Sequence, residues 1–171
     1  MKLRQPLLPY ALLALVWMAF SAYVWVGAGQ LPPRVATHFG LNGEPNGWQT
    51  HAEYLRFTLI FGAAIPAFVL GIFSLIRVGD GALMNIPHKK YWLAPERRAE
   101  TIAFVQRQGA WFATLLLAFF AAIHHFIVTA NTQSPARLTP NSPFWAAGIL
   151  IAAVMLVVPV SFIRHFSRKP A

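Results

Sequence analysis

The run LRFTLIFGAAIPAFVLGIFSLI, residues 55–76, decides the fold class. After Arg56 it carries no charged side chain to its end. An uninterrupted apolar run of about 18 residues or more is long enough to cross a bilayer as a helix. Three further runs of this kind, residues 10–29, 109–130 and 144–163, contain no Asp, Glu, Lys or Arg at all. The four runs predict an all-α integral membrane protein with four transmembrane helices, forming a single membrane domain over residues 1–171.

Composition agrees. The chain is 57% hydrophobic and 11% charged, against about 45–50% and about 25% for an ordinary soluble domain. So few charges would not cover a soluble surface. The net charge of +9 would suit nucleic acid, but the charges are divided by side. Lys2, Arg4, Arg77, Lys89, Lys90, Arg97, Arg98, Arg107, Arg164, Arg168 and Lys169 fall on one side of the predicted membrane, and Arg34, Arg56 and Arg137 on the other. The Lys/Arg excess marks the cytoplasmic side, which predicts both termini cytoplasmic and residues 30–54 outside. The basicity then answers to anionic lipid headgroups, and the bilayer, not nucleic acid, is the expected partner. The first run is too long for the apolar core of a signal peptide and reads as a retained helix. The absence of Cys removes disulfides, thiol catalysis and thiolate ligands.

Residues 30–54 separate the first two runs. Pro32 and Pro33 end the first helix and stiffen the segment that follows. Glu44-Pro45-Asn46-Gly47 has the residue order of a type I turn, and Gly40, Gly43 and Gly47 give the backbone freedom. Thr50 and Glu53, three apart, match a capping box for the second helix. The expectation is an ordered outer loop in which Pro32, Gly43, Pro45, Gly47, Thr50 and Glu53 are structural. His38, Phe39, Glu44, Asn46 and Trp48 remain as candidate binding residues, because a plain connector needs none of them. The outer connection 131–143 reads as short and irregular.

On the cytoplasmic side, Gly79-Asp80-Gly81 reads as a turn. Pro95 and Glu96 read as the start of a helix over residues 95–108 that lies at the interface or leads into the third span. Asp80, Glu96 and Glu100 sit among basic residues and read as solvated ion pairs. Small residues four apart suggest packing faces: Ala63, Ala67 and Gly71, Ala118 with Ala122, and Gly148 with Ala152.

Four histidines belong to the outer side: His38, His51, His124 and His125. The last two lie roughly 9 Å below the end of the third helix, at 1.5 Å per residue. Polar groups at such depth face a bundle interior or a cavity. Imidazoles with a nearby carboxylate are zinc-type ligands, so these four are candidate metal residues. Against this, neighbouring His124 and His125 diverge by about 100° on a helix, and neither HExxH nor HxxxH occurs. No phosphate-binding loop, GxSxG or dinucleotide glycine pattern is present. The chain is expected not to be an enzyme and to need no cofactor.

Two stretches carry a family resemblance. LPPRVATHFGLNGEPNGW, residues 31–48, with Leu31, Pro32, Val35, His38, Phe39, Gly43, Pro45, Asn46 and Trp48, resembles a bacterial membrane family, the domain of unknown function 1648. NIPHKKYWLAPERRAET, residues 85–101, resembles a second block of its longer members through Asn85, Pro87, Tyr91, Trp92, Pro95, Glu96 and Arg97. Together the resemblance spans residues 10–108. It implies a multi-pass protein of a bacterial inner membrane, related to the N-terminal part of SdpI-type toxin-immunity proteins, and it brings no catalytic residues. The leading expectation is a non-enzymatic binding or sensing module. It would act through residues 30–54 on a ligand, or on a partner protein or peptide at the outer face. A metal-binding protein and a toxin-immunity protein are the alternatives.

Overall fold

The computed structural model describes residues 7–139 and 142–168. Lys2, Arg4, Pro140 and Lys169 therefore lie outside the described residues. The order of elements is α1 (Leu8–Ala28), β1 (Arg34–Phe39), β2 (Pro45–Thr50), α2 (His51–Val78), α3 (Lys89–Trp92), α4 (Arg98–Asn131) and α5 (Ser142–Ser167). Three of the helices, α1, α2 and α4, are long and apolar enough to cross a membrane. The fold is mostly helical, as the composition predicts. The apolar stretch identified in α5, Ile151–Ser167, is shorter than those three.

Helix α4 is the centre of the bundle, and α1, α2, α5 and β1 all pack on it. Its inner face is Ala110, Ala113, Leu117, His124 and Ile127, the spacing of one helix stripe. Leu13, Phe20 and Val24 of α1 meet Ala113 and Leu117, with Leu55, Leu59 and Phe120 around them. Helix α1 is apolar on every side, and its exposed Leu15, Met18, Trp25 and Val26 face outward. Such a helix belongs in lipid.

The small-residue faces are corrected. Ala67, Gly71, Ala118, Gly148 and Ala152 point outward, and a Cβ at Gly71 or Gly148 would meet nothing within 4 Å. Contact falls instead on Gly27, Gly62 and Gly109, whose missing Cβ atoms leave room for His124, Phe20 and Phe73. Large rings from the neighbour fill the notch of a lone glycine, so no repeat of small residues is needed.

The start of α4 also departs from expectation. Pro95 and Glu96 are not its first turn. They lie in a turn in which the Arg97 and Arg98 N–H groups both donate to Ala94 C=O at 2.9 Å. The helix then runs without a break from Arg98 to Asn131, 34 residues, so the interfacial segment and the third span are one rod. At the same end, Gly79-Asp80-Gly81 is a turn as predicted, with positive φ at Asp80 (48°) and Gly81 (78°). Asp80 pairs with Arg98 at 3.6 Å in an exposed position. Helix α5 begins at Ser142, so Pro143 belongs to it and not to the preceding connection.

The main correction concerns residues 34–50. The fold is not all helix, because β1 and β2 form an antiparallel hairpin. The type I turn predicted at Glu44–Gly47 does not exist there; Pro45, Asn46 and Gly47 are strand residues. The turn lies earlier. The Gly43 N–H donates to Gly40 C=O and the Gly40 N–H to Glu44 C=O, both at 2.9 Å, with Gly43 at φ 76°. This is the three-residue connection with a left-handed glycine that suits the twist of a hairpin. Asn42 secures it, accepting from the Glu44 N–H at 3.1 Å and donating to Glu44 Oε2 at 2.8 Å. Pro45 is tolerated as the first residue of a strand that has a partner on one side only.

Candidate functional site

The hairpin is laid across the ends of α1, α2 and α4. Its register pairs Arg34 with Thr50, Val35 with Gln49, Ala36 with Trp48, His38 with Gly47 and Phe39 with Pro45. Thr37 is an extra residue on β1 and Asn46 an extra residue on β2, two bulges of opposite sense. The first shifts the register of β1 after Ala36. Val35 and Ala36, consecutive residues, are both fully buried. Val35 packs with Ala28, Leu31, Tyr54 and Ile127, and Phe39 leans on the same cluster.

One side chain anchors the hairpin to the helices. Asn131, in the last turn of α4, accepts from the Ala36 N–H at 2.8 Å and donates to Ala36 C=O at 2.9 Å and to Ile127 C=O at 2.8 Å. The two-point contact copies the pairing of a third strand. It also fixes the amide orientation, since the reverse would set like groups against each other at all three contacts. The His51 N–H donates to Pro33 C=O at 2.9 Å, closing the base of the hairpin where α2 begins. The predicted capping box is present there: Thr50 accepts from the Glu53 N–H at 3.3 Å, and Glu53 Oε2 accepts from the Thr50 N–H at 2.8 Å. The Leu138 N–H donates to Gly43 C=O at 2.9 Å and the Arg137 guanidinium to Asn42 C=O at 3.3 Å, so the chain after α4 holds the tip.

Beneath the hairpin, α2 and α4 leave a cavity of about 420 Å³. Its polar end is Thr37, His38 and Gln49 of the hairpin, with Tyr54 and His124 below them. Its walls are Phe57, Phe61, Phe120, Ile123 and Ile127. Phe57, Phe61 and Ile123 are also exposed on the outside of the chain, so the apolar end opens sideways between the two helices.

Among the described residues His124 is the best buried polar side chain, at 1% exposure. Its Nδ1 shares a 2.7 Å hydrogen bond with the Tyr54 hydroxyl. Tyr54 stacks on it at a centroid distance of 5.9 Å, and Tyr23 meets its edge at 5.3 Å. Its Nε2 lies against Gly27 of α1 and has no hydrogen-bond partner among the described residues. The adjacent His125 is exposed and shares a 3.0 Å bond with the Tyr23 hydroxyl. Both rings therefore touch Tyr23 of α1, and His124 alone also bonds α2 through Tyr54.

The candidates named from sequence thus separate. His38 and His124 line one cavity. His51 is the first residue of α2, and His125 bonds Tyr23 of α1. Among the described residues no three His, Asp or Glu side chains converge as metal ligands. Phe39 holds the hairpin down. Trp48 is half exposed, with the Arg34 guanidinium 4.9 Å from its ring centroid. Glu44 is tied to Asn42 at the tip, and Asn46 is exposed in the β2 bulge. Sequence reasoning missed Asn131, Tyr54, Thr37 and Gln49. Asn131 ends an apolar run and reads as the first loop residue, and its partner Ala36 is 95 positions away.

A helical bundle with apolar outer faces, capped at one end by a hairpin over a partly polar cavity, defines the class: a multi-pass membrane protein. Residues 11–62, which cover nearly all of α1, the hairpin and the first half of α2, match the family of the domain of unknown function DUF1648. No curated protein and no solved structure matches the chain. The second stretch of resemblance, residues 85–101, lies beyond the matched segment.

Proposed function

We propose that the chain is a non-enzymatic binding or sensing module of a bacterial inner membrane. In this reading four helices cross the membrane, α5 being the fourth, both termini are cytoplasmic and the hairpin lies outside. The ligand is amphipathic. Its polar part meets Thr37, His38 and Gln49, and its apolar part lies between α2 and α4. The observation that carries this reading is the cavity itself, which joins hydrogen-bonding groups at the hairpin to an aromatic slot open towards the lipid. Ligand sites are usually apolar clefts of about 300–1,000 Å³ with a few placed polar groups, and this one has that make-up. The His124–Tyr54 bond fixes the polar floor of the slot, which supports binding to a preformed site.

The test is native mass spectrometry of the full chain, purified in mild detergent from its host membrane. An amphipathic adduct should be retained by the wild type. It should be lost in His38→Ala and in Ile123→Trp, which narrows the slot, while hydrogen exchange in the hairpin stays unchanged. An adduct that persists in both variants refutes the site. The orientation is tested separately: alkaline phosphatase fused at Gly47 should be active and fused at Lys90 inactive. A toxin-immunity role makes a further demand, that a strain lacking the chain become sensitive to a secreted peptide.

A further inference from the structure

The opposite end of the bundle holds a second cleft, independent of the hairpin site. It lies between α4 and α5, has a volume of about 410 Å³ and is lined on α5 by Val157, Val160, Ser161, Arg164, His165 and Arg168. These positions recur at helical spacing and form one stripe. The stripe is graded, apolar at Val157 and Val160 and cationic at Arg164 and Arg168. Phe104 of α4 closes the cleft from the other side. The His165 ring stacks on Phe104 at 3.9 Å between centroids and also meets Trp92 at 4.8 Å. The Arg107 guanidinium, 5.4 Å from the Phe104 centroid, adds a third arginine. Ser161 is held by Gln108 at 3.5 Å. Among the described residues no acidic side chain lines the cleft; Glu100 stands one turn before Phe104 on α4.

We propose that this cleft is a binding site for an anionic phospholipid. Arg164 and Arg168 take the phosphate diester, and the acyl chains run along Val157 and Val160. Three features point to that chemistry. Arginine presents a planar fork that matches phosphate oxygens in pairs, and two such forks lie one turn apart on the same face. The aromatic stack of Phe104, His165 and Trp92 makes the wall behind them rigid, so the arginines converge on a shaped cleft and not on open solvent. The exposed valines continue the same stripe towards the apolar part of the helix, where a free phosphate would have nothing to contact. Basic pockets between membrane helices are suited to anionic headgroups on general electrostatic grounds.

The experiment uses the full chain in zwitterionic detergent. Thermal unfolding and native mass spectrometry are followed on addition of phosphatidylglycerol, of phosphatidylcholine with the same acyl chains, or of inorganic phosphate. Phosphatidylglycerol should raise the unfolding midpoint and remain bound, and the other two should do neither. Arg164→Gln with Arg168→Gln should weaken phosphatidylglycerol binding at least tenfold, and Val160→Trp should weaken it with all charges kept. Arg77→Gln with Lys90→Gln, at the same end of the molecule but outside the cleft, should leave it unchanged. Equal binding of phosphatidylcholine overturns the proposal, because headgroup charge is then irrelevant. An equal effect of inorganic phosphate overturns the lipid as ligand. Unchanged binding in the arginine or Val160 variants, or an equal loss in the Arg77/Lys90 control, overturns the site.

Discussion

Replacing Asn131 tests how the hairpin is held. Asn131→Ala removes three hydrogen bonds but orphans only two groups, the N–H and C=O of Ala36. Ile127 C=O keeps its place in the helix ladder. Ala36 is fully buried, so each orphaned group costs about 1–3 kcal/mol, or roughly 2–6 kcal/mol for the pair. Asn131→Asp is the sharper variant. It keeps the shape and the acceptor for the Ala36 N–H, yet sets an oxygen against two carbonyls, and it should do no better than Ala. The readout is amide hydrogen exchange over residues 34–39 in detergent micelles. A cost of about 2 kcal/mol raises the open population, and hence exchange there, roughly 30-fold, since 1.4 kcal/mol is tenfold. Exchange in the middle of α4 should not change. If Asn131→Asp leaves the hairpin protected, the amide clamp is not what holds it and the reasoning fails.

Four further outcomes follow from the geometry. Gly62→Ala places a methyl on the Phe20 ring and Gly27→Ala one on His124 Nε2; both should lower the unfolding midpoint. Gly71→Ala and Gly148→Ala, with nothing within 4 Å, should be neutral or raise stability by up to about 1 kcal/mol through helix propensity. Gly43→Ala, forced to hold φ 76°, should cost about 1–2 kcal/mol and loosen the hairpin tip, seen as faster exchange at Gly40 and Leu138. Thr50→Ala removes the capping box and should cost about 0.5–2 kcal/mol, read as fraying of the first turn of α2 by exchange or circular dichroism.

The helices were legible because their signal is local. An apolar run long enough for a bilayer announces itself, and so do Thr50 with Glu53 as a cap and Gly79-Asp80-Gly81 as a turn. The hairpin was half legible. Val35 to Phe39 read as extended, but Pro45-Asn46-Gly47 are poor strand formers, and two Asn-Gly pairs competed for the turn. Asn42-Gly43 holds the turn, with Gly43 as the left-handed last residue of the three-residue connection. The cavity was partly legible: His38 and His124 were singled out as polar residues in need of a reason. Their meeting is set by helix packing across 86 positions, and nothing local encodes it. The same holds for Tyr54 against His124, and for the small-residue faces, where spacing alone could not say which glycine met a ring.

The Asn131 clamp bears on how portable the matched domain is. Residues 11–62 end midway through α2, whereas Asn131, Ile127 and His124 all belong to α4. Excised, the segment would keep its capping box and its turn, but Val35 would lose part of its cover and the Ala36 peptide would have no amide to receive it. The domain is therefore a graft and not a freestanding module. In this chain the third long helix supplies that cover, and one asparagine at its end both donates and accepts.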